Sequence, residues 1–376
     1  MREIGGDFPF PFGSMVRRGK AHRLLPKGAD SVLLASGRDA LHWIIQALGL
    51  IRGDRVLLPA YLCEDVVGPF RSHGLDVNYY AITPDLQVDS EDLVSKLSTD
   101  TKVLLYIHYF GFPLELPANV TERVGPGCCV VEDASHAFLS SLEGLTARKD
   151  ITFASYRKLL PVVDGARVSW DSSWEGAGPD GLGLGVTRMS GRYLASIACR
   201  GAGGMLKALW LRLPGICPKG AFRRLFSLSD RLLDSYPKPA GMSLVSKRIL
   251  RRADLEHVIT SRRRNFQSLL AGLSDSEEVR PMYPELPEGV CPLGFPVLAH
   301  DRDALAGHLI QHRVYPPVHW ALPAEVDREE FDDAWSVSAH ILTIPIDQRY
   351  GEQEMAYILD VLHSYQPARE LWPAGR

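Results

Sequence analysis

Three short stretches of this 376-residue chain hold residue types that can do chemistry, and each borders an apolar run. Glu132 and Asp133 follow the run Cys128–Val131, with Ala134, Ser135 and His136 next. A carboxylate at the end of a buried strand needs a cation or hydrogen-bond donors, because leaving it unpaired out of water is costly. Ser155-Tyr156-Arg157-Lys158 follows Ile151–Ala154. A lysine there can form an imine, since its pKa falls on burial or beside a cation such as Arg157, whereas arginine stays protonated. Ser36-Gly37-Arg38-Asp39 precedes an amphipathic segment. A helix start presents unbonded N–H groups and the positive dipole end, a cradle for phosphate, and Gly37 lets the backbone approach closely. Singly, each has an ordinary reading: a helix cap, a solvated loop acid, a surface lysine. As a set they supply an anion cradle, a partner for a protonated ring nitrogen and an imine-forming amine. Asp133 stands 25 residues before Lys158, and Ser155 three before it. Pyridoxal phosphate requires those three things.

The hydrophobic pattern says what positions them. Ala40, Leu41, Ile44, Ile45 and Leu48 recur at the helical period, predicting an amphipathic helix that ends near Gly49 to Gly53. Short apolar runs follow at Arg55–Leu58, Val77–Ile82, Lys102–Tyr106, Cys128–Glu132 and Ile151–Ala154, with Ala166–Trp170 after them. Runs of this length, alternating with helical or polar stretches, predict βαβ units and a mostly parallel buried sheet. Ligands in such sheets sit where strands end. Past Trp170 the texture changes. Glycines cluster over Gly176–Gly185, a basic region follows, and Tyr236–Gly241 reads as a hinge. The remainder predicts a helix ending in SRRRNFQSLLAGL, a strand near Gly294–Leu298, a helix over Asp301–His312, a strand at Ile341–Ile346 and a helix over Glu352–His363. The expected organisation is a large α/β domain, 1–240, then a smaller C-terminal α+β domain, 241–376.

With these elements in order, the chain resembles the DegT/StrS family of pyridoxal-phosphate-dependent sugar aminotransferases, of aspartate-aminotransferase-like fold type I. The matching stretches are ASGRDALHWIIQAL, GDRVLLPAYLCEDVVGPF, TDTKVLLYIHYFGFP, VVEDASHAF, ASYRKLLPVVDGA and ILTIPIDQRYGEQEM. The resemblance implies a three-layer, mostly parallel sheet and gives roles by position. Lys158 resembles the lysine that carries the cofactor, and Asp133 the acid on the pyridine nitrogen. His136 lies beside the ring oxygen, and Ser155 with the backbone N–H groups of Gly37, Arg38 and Asp39 forms the phosphate clamp. The ring-stacking position aligns near Cys63, with Tyr61 as the substitute. His108 and His319 are further candidates at the substrate side, each also readable as a satisfied core histidine. The implied reaction moves an amino group from an amino acid such as glutamate to a keto sugar, nucleotide-linked, in polysaccharide, glycoconjugate or natural-product synthesis, by a homodimer. Some relatives carry histidine in place of the lysine and dehydrate sugars; Lys158 favours amination. A non-catalytic, regulatory descendant of the same fold is the alternative. The chain departs from the family at Arg38, where a hydroxyl residue is common. It also has a Ser-to-Lys spacing of three instead of five, and Asp164-Gly165-Ala166 in place of a Gly-Gly pair.

Composition excludes several other classes. Hydrophobic residues make up 45% and charged residues 23%, with 42 Lys and Arg against 45 Asp and Glu, a net charge of −3. This is globular, not disordered, composition. No apolar run reaches the ~18 residues of a membrane span, and the N-terminal stretch has no secretory h-region, so the expectation is a cytoplasmic protein. The six cysteines, Cys63, Cys128, Cys129, Cys199, Cys217 and Cys291, form no CxxC pair and suggest neither a disulfide framework nor a metal site. Charge is uneven: from Arg188 to Arg264 there are 17 Lys and Arg against 4 Asp and Glu. Basic and apolar residues interleave there, so residues 188–264 are a candidate for peripheral membrane contact, with solvated helix faces as the plain reading. No nucleic-acid-binding motif accompanies them. GLGLG at 181–185 and the glycines at 201–204 lack the strand–GxGxxG–helix setting of a dinucleotide site.

Overall fold

The computed structural model describes residues 3–12, 24–25, 30–142, 148–171, 190–213, 218–233, 239–273 and 278–366. In chain order the elements are β1 (Ile4–Gly5), β2 (Ser31–Leu34), α1 (Gly37–Ala47), β3 (Arg55–Pro59), α2 (Glu64–Ser72), β4 (Asp76–Tyr80), α3 (Ser90–Lys96), β5 (Thr101–Ile107), α4 (Ala118–Arg123), β6 (Cys129–Asp133), β7 (Ile151–Ser155) and β8 (Ala166–Trp170). There follow α5 (Gly191–Arg212), α6 (Lys219–Leu233), α7 (Leu244–Arg252), α8 (Leu255–Gly272), β9 (Val279–Pro281), β10 (Phe295–Ala299), α9 (Arg302–Gln311), β11 (Val314–Tyr315), α10 (Asp332–His340), β12 (Ile341–Ile344) and α11 (Glu352–His363).

Seven strands form the main sheet in the order β2-β8-β7-β6-β5-β3-β4. The pairs among β7, β6, β5, β3 and β4 are parallel, while β8 runs antiparallel to both β7 and β2. Strands β3, β5 and β6 are buried almost throughout, which is why they read as unbroken apolar runs. Helix α1 buries Ala40, Leu41, Trp43, Ile44 and Ile45, and Trp43 stacks on Trp170 of β8. A smaller antiparallel sheet, β12-β10-β9, packs with α8, α9 and α10, and α11 lies against α8.

The β2 strand and the parallel pairing of β1 with β11 were not expected from the sequence. The hinge reading at Tyr236–Gly241 needs correction where it is described. The backbone N–H of Ala240 donates to Asp39 Oδ1 at 3.1 Å, Ala35 donates to the Ala240 carbonyl at 2.9 Å, and Gly241 bridges to Leu34. That end of the passage is thus fastened to the main sheet, while 234–238 and the glycine cluster over 176–185 lie outside the described residues. Gly203 and Gly204 serve packing: a side chain at either would press on Leu225 of α6 or on Phe10.

Asp164 ties the elements past Lys158 to those before it. Its buried carboxylate accepts from Tyr193 Oη of α5 (3.0 Å), from the backbone N–H of Ser243 (2.7 Å) and from the hydroxyls of Ser243 and Ser246 at the start of α7. Asp164→Ala strands all four donors in the interior and should lower unfolding free energy by about 3 kcal/mol or more in urea titration. A loss under 1 kcal/mol would show that water replaces the carboxylate.

Candidate active site

The C-terminal ends of β5, β6 and β7 open onto a cavity of about 840 Å³ lined, among others, by Gly37, Asp133, His136, Ser155 and Lys158. The parallel register sets this arrangement: Ile107 pairs with Asp133, and Asp133 with Phe153, two residues before Ser155. The turn from β2 into α1 reaches the same end, close enough that a Cβ on Gly37 would lie 3.6 Å from Ser155 Cβ. A bulkier residue at 37 would crowd that junction.

Asp133 ends β6, buried, and its Oδ1 accepts the Ser135 N–H at 2.8 Å. Burial pushes its pKa up, opposed by Ser135 and by the Lys158 ammonium. Lys158 closes the one-turn Tyr156–Lys158 helix after β7 and is exposed to the cavity. Tyr156 anchors that turn, its hydroxyl donating to the Leu24 carbonyl at 2.6 Å, and Gln348 Nε2 donates to the Leu159 carbonyl at 3.0 Å. The Lys158 charge acts on Asp133, His136, His319 and Cys63, which surround it.

His136 is buried and its Nδ1 accepts the Phe110 N–H at 3.3 Å, so in the neutral ring Nε2 carries the proton and is the donor. Burial, followed by Lys158, holds its pKa well below the usual histidine value. Its ring stacks on Trp320, with centroids 5.4 Å apart. His319 faces the same space, bonded through Nδ1 to Thr343 Oγ1 at 2.8 Å, and burial beside Lys158 brings its pKa down to about 3. Cys63 caps α2 at the cavity wall; burial raises its thiol pKa while Lys158 lowers it. Arg38 also lines the cavity and reaches Asp65 at 3.3 Å.

Three expected residues stand elsewhere. Asp39 turns inward: its N–H donates to Ser36 Oγ at 3.2 Å, and its carboxylate takes the Ser36 hydroxyl and the Ala240 N–H. It is the internal cap of α1, and outside the cavity lining. Tyr61 is wholly buried behind Trp320, ring to ring at 5.4 Å, with its hydroxyl on the His319 carbonyl. The ring-stacking expectation for it is corrected on that ground. His108 is satisfied in the core, taking the Leu114 N–H on Nδ1 at 2.8 Å and meeting Glu132 through Nε2 at 3.0 Å.

Of the other lining residues only Arg157, as a cation next to Lys158, had drawn notice in the sequence. Trp320 was hidden beside His319 in an irregular segment. Arg157 and Arg200 converge on Asp230 from distant parts of the chain, Arg157 at 3.2 Å. Arg349 grips Asp347 and donates to the carbonyls of Gly6 and Asp7, with Phe8 beneath its guanidinium. The FPFPF run near the N-terminus was the one available hint that this segment packs down.

Comparison with known proteins adds to this geometry. Residues 27–165 match the model of the DegT/DnrJ/EryC1/StrS aminotransferase family. A curated relative, dTDP-4-dehydro-2,3,6-trideoxy-D-glucose 4-aminotransferase of Saccharopolyspora spinosa, is 31% identical over 129 residues. The match spans 33% of this chain and 32% of the relative, about a third of its length. The aminotransferase TlmJ from Streptoalloteichus hindustanus superposes with a TM-score of 0.64 at 18% identity, covering 96% of this chain and 91% of that one. GDP-4-keto-6-deoxy-D-mannose-3-dehydratase of E. coli, with bound hydrated PLP, gives 0.61 at 17% identity, covering 88% and 87%. The DegT/DnrJ/EryC1/StrS stretch therefore sits in a chain whose fold is that of type I pyridoxal-phosphate enzymes over nearly its whole length.

The depressed histidines make acid stability testable. A histidine whose folded pKa lies below its free value contributes stability that is complete above about pH 6.5 and lost as pH falls towards the folded value, here about 3 for His319. Between pH 7 and pH 4.5 the chain should lose roughly 2 kcal/mol through His319 alone. His319→Asn should flatten that slope in urea titrations run at both pH values; an unchanged slope would remove His319 from the account.

Proposed function

We propose that this chain is a pyridoxal-phosphate-dependent aminotransferase that moves an amino group from an amino acid, glutamate being the first candidate, to a keto sugar carried on a nucleotide. The observation that carries the reading is the placement of Lys158, Asp133, His136, Ser155 and the start of α1 around one cavity. The residues suit the cofactor chemically. Asp133 is a buried carboxylate bonded to Ser135 and, among the described residues, to no cation; a protonated ring nitrogen would complete it. The start of α1 with Ser155 offers N–H and hydroxyl donors to a phosphate. His136 Nε2–H is a neutral donor for a ring oxygen.

Bound there, pyridoxal phosphate supplies an aldehyde that joins an amine and a ring that withdraws electrons from the substrate carbon. Lys158 holds the cofactor between turnovers. Its Nζ would be the group that takes and returns the proton at the amine-bearing carbon. Asp133 keeps the ring nitrogen protonated. Trp320, stacked on His136, adds an apolar ring to the cavity wall beside it. The division into a cofactor-holding unit, 1–240, and a C-terminal unit, 241–376, and assembly as a homodimer in the cytoplasm belong to the same reading. The keto-sugar substrate rests on the Saccharopolyspora relative, an aminotransferase named for a dTDP-linked dehydro sugar.

Borohydride reduction of cofactor-treated protein should fix pyridoxal phosphate to Lys158, found by peptide mass spectrometry. Lys158→Ala should lose both the adduct and the visible absorbance. Asp133→Asn should keep the adduct while slowing amino transfer on the order of 100-fold. Reduction that labels another lysine, or none, would sink the assignment. Release of water from a deoxy keto sugar without net amine transfer would favour the dehydratase reading instead, and a bound cofactor with no spectral response to any amino donor would favour a regulatory descendant.

A further inference from the structure

Helix α5 is built with its polarity reversed. Its buried side holds Arg200, bonded to Asp7 and Asp230, and Lys207, whose ammonium donates to the Asp7 carbonyl. Its outer side holds Leu194, Met205 and Leu209, with Leu213 just past its end, 53%, 45%, 38% and 54% exposed. The spacing from 194 to 213 keeps these on one face over about 28 Å. Water is a poor match for such a face, because soluble helices put charge outward and leucine inward.

Neighbouring helices extend it. Tyr193 and Ser243 meet on the Asp164 carboxylate, which brings the first turns of α5 and α7 together. The next residue in each helix is an exposed leucine, Leu194 and Leu244, and Leu244 is 81% exposed. Helix α6 lies along α5, with Ser196 bonded to Ser229 and Trp210 packed on Phe222, and it exposes Leu228. Exposed arginines rim the surface: Arg192 and Arg212 on α5, Arg223 and Arg224 on α6, Arg248 and Arg251 on α7. Helices α5 and α7 contain no Asp or Glu, and the single acid of α6, Asp230, is turned in to Arg157 and Arg200.

We propose that the outer faces of α5, α6 and α7 form a docking surface for an anionic lipid bilayer, on which the protein lies without crossing. Leucines enter the headgroup boundary and arginines meet lipid phosphates, the two terms that drive peripheral binding. Charge decides between this occupant and a second copy of the chain. A two-fold contact through the same faces would set arginines against arginines, whereas an anionic bilayer is complementary. Among the described residues no helix is long and apolar enough to span a membrane. The inference is independent of the cofactor reading and places the cavity of an active enzyme beside a membrane.

Flotation of the full chain with vesicles tests it. The protein should rise with phosphatidylcholine vesicles containing phosphatidylglycerol, stay down with phosphatidylcholine alone, and be released as salt rises. Met205→Glu with Leu209→Glu, and separately Arg223→Glu with Arg224→Glu, should each lower the vesicle-bound fraction at least about tenfold. Neither pair should move the thermal transition, since all four side chains are exposed. Failure of the wild type to float at low salt would overturn the proposal. So would light scattering showing a dimer that Met205→Glu with Leu209→Glu converts to monomer, because the face would then be a contact between copies.

Discussion

Asp133 is a carboxylate taken out of water at the end of a strand, and its own loop offers it one N–H. Such a group is unfavourable unless positive charge is brought to it. The surroundings of the cavity answer that need. The parallel pairing of β6 with β7 delivers Lys158 from the next strand's end, and the two histidines nearest that ammonium are held neutral. Strand order, register and histidine protonation follow one electrostatic constraint. A one-residue slip between β6 and β7 would turn Asp133 to the opposite face and remove it from the cavity.

The second fixed point is Asp164, which does structural work with the same chemistry. Four donors converge on it, and through them α5 and α7 are held to the turn that carries Lys158. Its placement six residues after Lys158 lets one short loop serve both the cavity and the helices beyond the sheet. This is also where the sequence departs from the pattern of the family it resembles. The departure coincides with the attachment of an arginine-rich helical region.

Much of the main sheet was readable because buried parallel strands leave local marks: Cys128–Glu132, Ile151–Ala154 and Ala166–Trp170 each correspond to a strand within a residue or so. The amphipathic helix at Gly37–Ala47 was equally plain. What escaped was long-range. Nothing local in Ile4-Gly5 announces a pairing with Val314-Tyr315, and nothing near Arg157 reveals Asp230. Tyr61, Asp39 and His108 misled for one shared reason. Each is the right residue type close to the right strand end, but the group expected to act is already engaged: the Tyr61 ring with Trp320, the Asp39 N–H with Ser36, and the His108 ring with Glu132 and Leu114. Periodicity sees which way a segment faces and not which partner reaches a hydroxyl first.

The rim of the cavity joins residues that are far apart in the order of synthesis. The Gly5 N–H donates to Tyr350 Oη at 2.7 Å, and Arg349 holds the carbonyls of Gly6 and Asp7. While the polypeptide is still emerging from the ribosome, Asp7 and Phe10 can already settle on Arg200, Lys207 and Gly204 of α5, but Ile4, Gly5 and Gly6 still lack their partners at Val314, Tyr315, Arg349 and Tyr350. A nascent fragment lacking residues 345–350 would leave the Gly5 N–H without Tyr350 and Phe8 without the guanidinium that covers it, one wall of the cavity being finished only by the last part of the chain.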